Sequence, residues 1–166
     1  LFPGGFGTHD EGFEALTLIQ TGKSKPLPVV LMEPEGSTYW RSWKRFVREH
    51  LLRGGFIDTH DMELFRIFTD VDAAVRYIED FHRVYHSIRH VGELTVLRLH
   101  RQLSDRTMAI LNGRFRDILV SGDFRLSPPL KPELRKGEYP DLPRLVMRFN
   151  RRDYGRLCRM IRVINR

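Results

Sequence analysis

Cysteine is nearly absent: Cys158 is the only one in 166 residues. That excludes a disulfide framework and a zinc site built on thiolates, and it fits a reducing compartment. No apolar run approaches the roughly 18 residues that a membrane span requires. Nothing at the start follows the basic, apolar, small-residue order of a signal peptide, so the expected location is cytoplasmic. Low-complexity tracts and internal repeats are missing too. Acidic residues are in deficit, with 21 Asp+Glu against 28 Lys+Arg and a formal charge of +7. What remains is 41% hydrophobic and 30% charged, the composition of a globular chain able to bury a core in one domain or two small ones.

The basic excess is unevenly placed. Residues 1–90 hold 11 Lys+Arg against 13 Asp+Glu, whereas residues 91–166 hold 17 against 8. The shift marks two units, 1–90 and 91–166. In the first, Glu11 to Thr21 reads as a helix with Phe13, Leu16, Ile19 and Gln20 on one face and Gly22 past its end. Val29-Val30-Leu31-Met32 reads as a strand buried on both faces. Ser37 or Thr38 caps a helix carrying Trp40, Trp43, Val47 and Leu51, which Gly54-Gly55 ends, and both tryptophans are expected to pack that helix onto a sheet. Leu64 to Phe68 is the next strand. Asp70 then caps a long helix with the stripe Ala74, Val75, Ile78, Phe81 and Tyr85. Alternation of helix and strand predicts an α/β fold with a parallel sheet.

The second unit predicts a small α+β appendage in the order βαββα. Its elements are a strand at Leu94–Leu99, a helix at Asp105–Phe115 and a strand at Ile118–Arg125 interrupted by Ser121-Gly122. A proline-rich connection follows. Leu145, Met147 and Phe149 alternate with Arg144, Val146 and Arg148, the pattern of a strand with one wet face. The closing helix groups Tyr154, Leu157, Cys158, Ile161 and Ile164 on one side, so Cys158 is expected as a buried thiol.

Pro3-Gly4-Gly5-Phe6-Gly7-Thr8-His9-Asp10-Glu11 is the stretch that carries chemistry. Three glycines in four positions permit positive φ and let backbone N–H groups approach a ligand with no Cβ in the way. The turn feeds a helix N-terminus, whose orphan amides and dipole favour anions, and Thr8 adds a hydroxyl. The spacing matches neither the Walker A loop nor the dinucleotide fingerprint. A purely local reading stands beside this one, because Thr8-x-x-Glu11 is also a capping box. Leu1-Phe2, just before the turn, reads as the end of a strand, and folds using strand–turn–helix units contain several of them. The sequence therefore reads as the C-terminal part of a longer protein.

Pro-Gly-Gly-x-Gly-Thr-x-x-Glu resembles the signature of the Lonely Guy (LOG) family of nucleoside 5′-monophosphate phosphoribohydrolases. The run Gly12 to Lys23, the Pro-Val-Val-Leu strand and Tyr39-Trp40 are similar to it as well. The likeness covers about residues 1–85, and the 91–166 extension resembles one found in longer, Rossmann-like bacterial relatives. The resemblance implies that residues 1–90 are the C-terminal half of a Rossmann-like domain. It implies hydrolysis of the N-glycosidic bond of a purine nucleotide, AMP or a cytokinin-type one, to free base and ribose 5-phosphate. Gly4, Gly5, Phe6, Gly7 and Thr8 would hold the 5′-phosphate, Glu11 would act on the oxocarbenium-like sugar or on water, and Glu14 would contact the ribose. It implies a homo-oligomer and no cofactor. The family's arginine lies upstream of the turn, where this sequence has no residues, so the chain alone is expected to lack half the pocket. The "lysine decarboxylase" label of some relatives finds no lysine in a setting recognisable for pyridoxal phosphate.

Weaker signals compete with these. His82, His86 and His90, at four-residue steps on the expected helix after Glu79, have metal-sharing spacing, but their neighbours Phe81 and Tyr85 favour packing, and no metal is assigned. Tyr85 to Arg89 is read as the end of that helix. Arg151, Arg152, Arg156, Arg159, Arg162 and Arg166 carry charge for nucleic-acid phosphates, yet without an aromatic platform they fit a solvated helix face better. A nucleotide-sensing module without turnover is the other alternative.

Overall fold

The computed structural model describes residues 1–134 and 139–166. It is a mixed α/β chain with one parallel and one antiparallel sheet. Two compact units divide it, Leu1–Glu79 with Asp153–Cys158, and Asp80–Arg152 with Arg159–Arg166.

In the first unit, helix α1 (Phe6–Gln20) leads to strand β1 (Val29–Met32), helix α2 (Tyr39–Phe46) and strand β2 (Phe65–Phe68), and then to helix α3 (Val71–His82). β1 and β2 pair in parallel, Val29 opposite Phe65 and Met32 opposite Phe68. Leu1 continues this sheet on the other side of β1. Its nitrogen donates to the Val30 carbonyl and its carbonyl accepts from the Met32 amide, both at 2.8 Å. Only Leu31 of β1 is fully buried, so the run is half-covered rather than covered on both faces. α2 passes into a π-helical turn, Val47–Leu52, before Gly54-Gly55.

The core between α2 and the sheet is Leu31, Trp40, Trp43, Val47 and Phe65. Trp43 meets Trp40 and Phe65 edge-on, at centroid distances of 5.7 and 5.1 Å, contacts each worth about 0.5–1.5 kcal/mol beyond the area they bury. Cys158 is buried against Ile19 and Leu64. Gly22, past the end of α1, holds φ +70°, and the Tyr154 ring fills the space a Cβ would need. Asp70 caps α3 by accepting from the Ala73 amide at 2.6 Å. The expected stripe of α3 is buried only in part: Ala74 and Phe81 are covered, whereas Val75 and Ile78 are exposed.

The second unit is a four-stranded antiparallel sheet in the order β3-β4-β6-β5, formed by β3 (Tyr85–Val91), β4 (Leu94–Leu99), β5 (Leu119–Ser127) and β6 (Arg144–Phe149). Helix α4 (Asp105–Arg114), a short helix α5 (Lys131–Leu134) and the second half of α6 (Tyr154–Ile164), whose first half belongs to the first unit, accompany the sheet. Ser104 caps α4 through the Thr107 amide. The Ser121-Gly122 interruption is real: register shifts there, and Gly122 sits at φ +74°. Three expectations are corrected here. The appendage gains a strand at its front, β3, and the helix α5 within its proline-rich connection. Residues 85–89 belong to β3 rather than to a helix, so Tyr85 leaves the α3 stripe. His86 and His90 also lie on that strand while His82 ends α3, and the three histidines share no helical face.

Asn165 supplies the physical reason. Its Oδ1 accepts the Val84 and Tyr85 amides at 2.6 and 3.0 Å, and its Nδ2 donates to the Phe81 carbonyl at 2.6 Å. One buried side chain thus takes the place of the next helical turn. The wet face expected for β6 is a further correction. Only Arg148 is exposed, because Arg144 is buried, 0% exposed, in a network described below.

Candidate functional site

The parallel strands end on one edge of their sheet, the edge where ligands bind in open α/β sheets. After Leu1 comes the glycine turn, after β1 comes Glu33, and the Glu33 amide bonds to the Phe68 carbonyl of β2 at 3.0 Å. Glu33 is buried, and it explains how α2 starts. Thr38 occupies the N-cap position without a side-chain cap bond. The Glu33 carboxylate instead accepts the Trp40 amide at 2.7 Å and Arg41 Nε at 3.0 Å, and the Ser37 hydroxyl accepts the Tyr39 amide at 3.2 Å.

The turn itself differs from its sequence reading in two ways. α1 begins at Phe6, with Gly5 as N-cap, so Thr8 already lies in the helix and the Thr8–Glu11 capping box does not form. The Thr8 and His9 amides both point to the Gly5 carbonyl, at 3.2 and 3.4 Å. Second, none of Gly4, Gly5 and Gly7 has positive φ. Their lack of a side chain must have another reason, and the reasons separate them. A Cβ at Gly4 would lie 2.2 Å from Thr8 Oγ1, so the chain's own packing demands glycine there. Gly12, buried in α1, would place a Cβ 3.3 Å from the Leu1 side chain. At Gly5 and Gly7 a Cβ would meet nothing within 4 Å.

Gly5 and Gly7 are therefore bare backbone facing open space. The Phe6 and Gly7 amides, in the first helical turn, have no intrahelical acceptor, and the Gly5 amide has no hydrogen-bond partner among the described residues. Phe6 is 97% exposed. Glu11 and Glu14 follow Thr8 at three-residue steps, which places them along one side of α1, and both carboxylates are exposed. The assembly offers amide donors and a hydroxyl at a positive helix end, with acids one and two turns further on. That arrangement can hold a phosphate monoester and set a carboxylate beside what the phosphate is attached to.

Two neighbours of the turn escape sequence reasoning about the site. Tyr39 donates its hydroxyl to the Gly4 carbonyl at 2.5 Å and lies 2.8 Å from His9 Nε2. The rings of His9 and Tyr39 stack at 5.6 Å. Thirty residues separate the two, and no local pattern links them.

The other charged constellations lie elsewhere. Arg151, Arg152 and Arg166 are exposed, but Arg156, Arg159 and Arg162 are half-buried, so α6 does not present one solvated basic row. Among the described residues no group of His, Cys, Asp and Glu is placed to hold a metal ion, and no helix is long and apolar enough to cross a membrane. In β3, burial and the nearby Arg151 charge hold the His90 pKa below the usual histidine value.

Fold and site together define an α/β protein with a glycine-rich turn and an open helix start at the carboxyl ends of parallel strands. Residues 1–78 match the model of a family described as "Possible lysine decarboxylase". This is the LOG-family domain, so the match supports the LOG family at the level of that domain, over 78 of the 166 residues. It supports, in general terms, an enzyme of nucleotide phosphoribohydrolase type. No curated protein matches the chain.

Proposed function

We propose that this chain carries the phosphate-holding and acid-bearing part of an enzyme that hydrolyses purine nucleoside 5′-monophosphates. Water oxygen bonds to C1′ of the ribose, the C1′–N bond to the base breaks, and the base leaves protonated while ribose 5-phosphate remains. The Gly5, Phe6 and Gly7 amides with the Thr8 hydroxyl take the phosphate, with Gly4 shaping the turn. Glu11 stabilises the oxocarbenium-like sugar or accepts the proton of the attacking water. Glu14, one step along the helix, contacts the ribose. AMP is the reference substrate, and cytokinin-type nucleotides belong to the same class. The first unit acts as the nucleotide-binding domain and the second as its basic extension. The setting is cytoplasmic and the assembly a homo-oligomer, which the exposed stripe Val71, Val75 and Ile78 on α3 supports.

One observation carries this reading. Gly7 lies in the first turn of a helix, where glycine costs up to about 1 kcal/mol relative to alanine. Neither its φ nor any neighbour requires the missing side chain. A ligand approaching the backbone at this sheet edge would account for it. Lysine chemistry lacks such support among the described residues: Lys23, Lys25 and Lys131 are exposed and Lys44 is only half-covered, so none of these is a desolvated amine.

The test pairs two substitutions in the intact protein, with AMP as substrate and free adenine followed by chromatography. Gly7→Ala is expected to stabilise the fold by up to about 1 kcal/mol while abolishing measurable AMP binding. Glu11→Gln is expected to keep affinity and slow base release at least about a hundredfold, roughly 2.7 kcal/mol of barrier. Binding with no base release by the unaltered protein identifies a nucleotide sensor instead.

A further inference from the structure

We infer that Tyr39 and His9 are positioning residues for the phosphate turn, joined in a hydrogen-bond relay that sets the plane of the Gly4–Gly5 peptide. This inference rests on the phosphate-holding role proposed above. A phenol has one proton, and the Gly4 carbonyl can only accept. The Tyr39 proton therefore goes to Gly4, and His9 must carry its proton on Nε2 and donate to the Tyr39 oxygen. The relay runs in one direction, from His9 to Tyr39 to Gly4, and each bond polarises the next.

Peptide planarity then does the positioning. The C=O and N–H of a trans peptide point in opposite directions. With the Gly4 carbonyl held on Tyr39, the Gly5 N–H is turned away from Tyr39, and it is the donor that has no partner among the described residues. The same tie holds Gly4 against Thr8, whose Oγ1 occupies the space of a Cβ on Gly4. Tyr39 is itself fixed, because its amide bonds to Ser37 and its ring stands edge-on to the buried Trp40 at 4.9 Å. A rigid helix start thus dictates the conformation of a glycine-rich segment that would otherwise sample many.

The experiment compares Tyr39→Phe, His9→Phe, His9→Gln and the double variant Tyr39→Phe/His9→Phe with unaltered protein. Two readouts are taken: the 13C′ resonance of Gly4, and kcat and KM for AMP beside its calorimetric affinity. Tyr39→Phe is expected to move the Gly4 carbonyl resonance upfield and to weaken AMP binding about tenfold, with kcat altered less than about threefold, as for a lost uniform binding contact. His9→Phe does the same in smaller measure. His9→Gln, whose carboxamide still donates, restores the unaltered values, and the double variant matches Tyr39→Phe alone because both break one relay. An unmoved Gly4 resonance in Tyr39→Phe overturns the relay, as does His9→Gln behaving like His9→Phe. A shifted resonance with unchanged AMP affinity overturns the positioning role. If unaltered protein binds AMP but releases no adenine, the hydrolytic reading fails while the relay is still decided by resonance and affinity. Protein that binds no AMP overturns both.

Discussion

Two buried glutamates show how differently the two units use polar burial. Glu33, 2% exposed, ends β1 and caps α2, and its guanidinium partner Arg41 remains half in solvent. Glu133, 0% exposed, sits in α5 and accepts Arg98 Nε at 3.0 Å and Arg144 Nε at 3.2 Å, with both arginines buried beside it. Arg144 also donates to the Tyr139 and Leu142 carbonyls, and Arg98 lies over the Tyr139 ring at 5.2 Å. The first carboxylate shapes one edge of the parallel sheet, and the arginine paired with it reaches water. The second cross-links β4, α5 and β6 in a dry interior, where an ion pair is stable only as a complete set. One pair keeps its cation in solvent, whereas the other closes off both signs of charge.

That contrast can be broken experimentally. The largest effect is expected from Glu133→Gln, which leaves two buried guanidiniums short of a counter-charge. It should cost about 3–5 kcal/mol, read from urea unfolding by far-UV circular dichroism. Burial pushes the Glu133 carboxyl up, but hydrogen bonds from Arg144, the Leu130 amide and Arg98, with the Arg144 charge, outweigh it and hold its pKa below the usual glutamate value. Its stabilising contribution is therefore complete above the ordinary carboxylate range. It is lost as pH falls through the lowered folded value, and a Glu133→Gln protein should show a flatter stability profile over that acid window. Glu33→Gln should cost less, about 1–2 kcal/mol, because the amide oxygen can still accept from Trp40 and Arg41 turns to solvent. Fluorescence of Trp40 and Trp43, the chain's two tryptophans, reports it locally. Equal losses for the two glutamates would erase the distinction. The smallest effect concerns His90. Burial is the leading cause of its lowered pKa and the Arg151 charge the second, so Arg151→Gln should raise it only part of the way to the usual value in an NMR titration.

Much of this architecture was legible before any coordinates. Helix α2 and the turn that continues it, with Trp40, Trp43 and Val47 on their buried side, follow from three- and four-residue spacing, which is a property of one helix turned toward one core. Strands β1, β2 and β4 follow from short apolar runs between turn residues. The glycine motif was visible only in its composition; which glycines answer to packing and which face open space depended on Thr8 and Leu1 arriving beside Gly4 and Gly12. The α3–β3 junction misled, because residues 74–85 keep helical periodicity to the end. The partner that stops the helix, Asn165, lies some eighty residues along the chain.

The sequence by itself determined the periodic elements and the bare-backbone motif before Glu11, since those depend on neighbours within one or two turns. Only the tertiary structure decided where α3 stops, that Arg144 is dry, and that Tyr39 and His9 hold Gly4. Each of these depends on a hydrogen bond to a group far away in sequence, and a buried donor or acceptor is satisfied by whichever partner the fold delivers, not by the residue next to it.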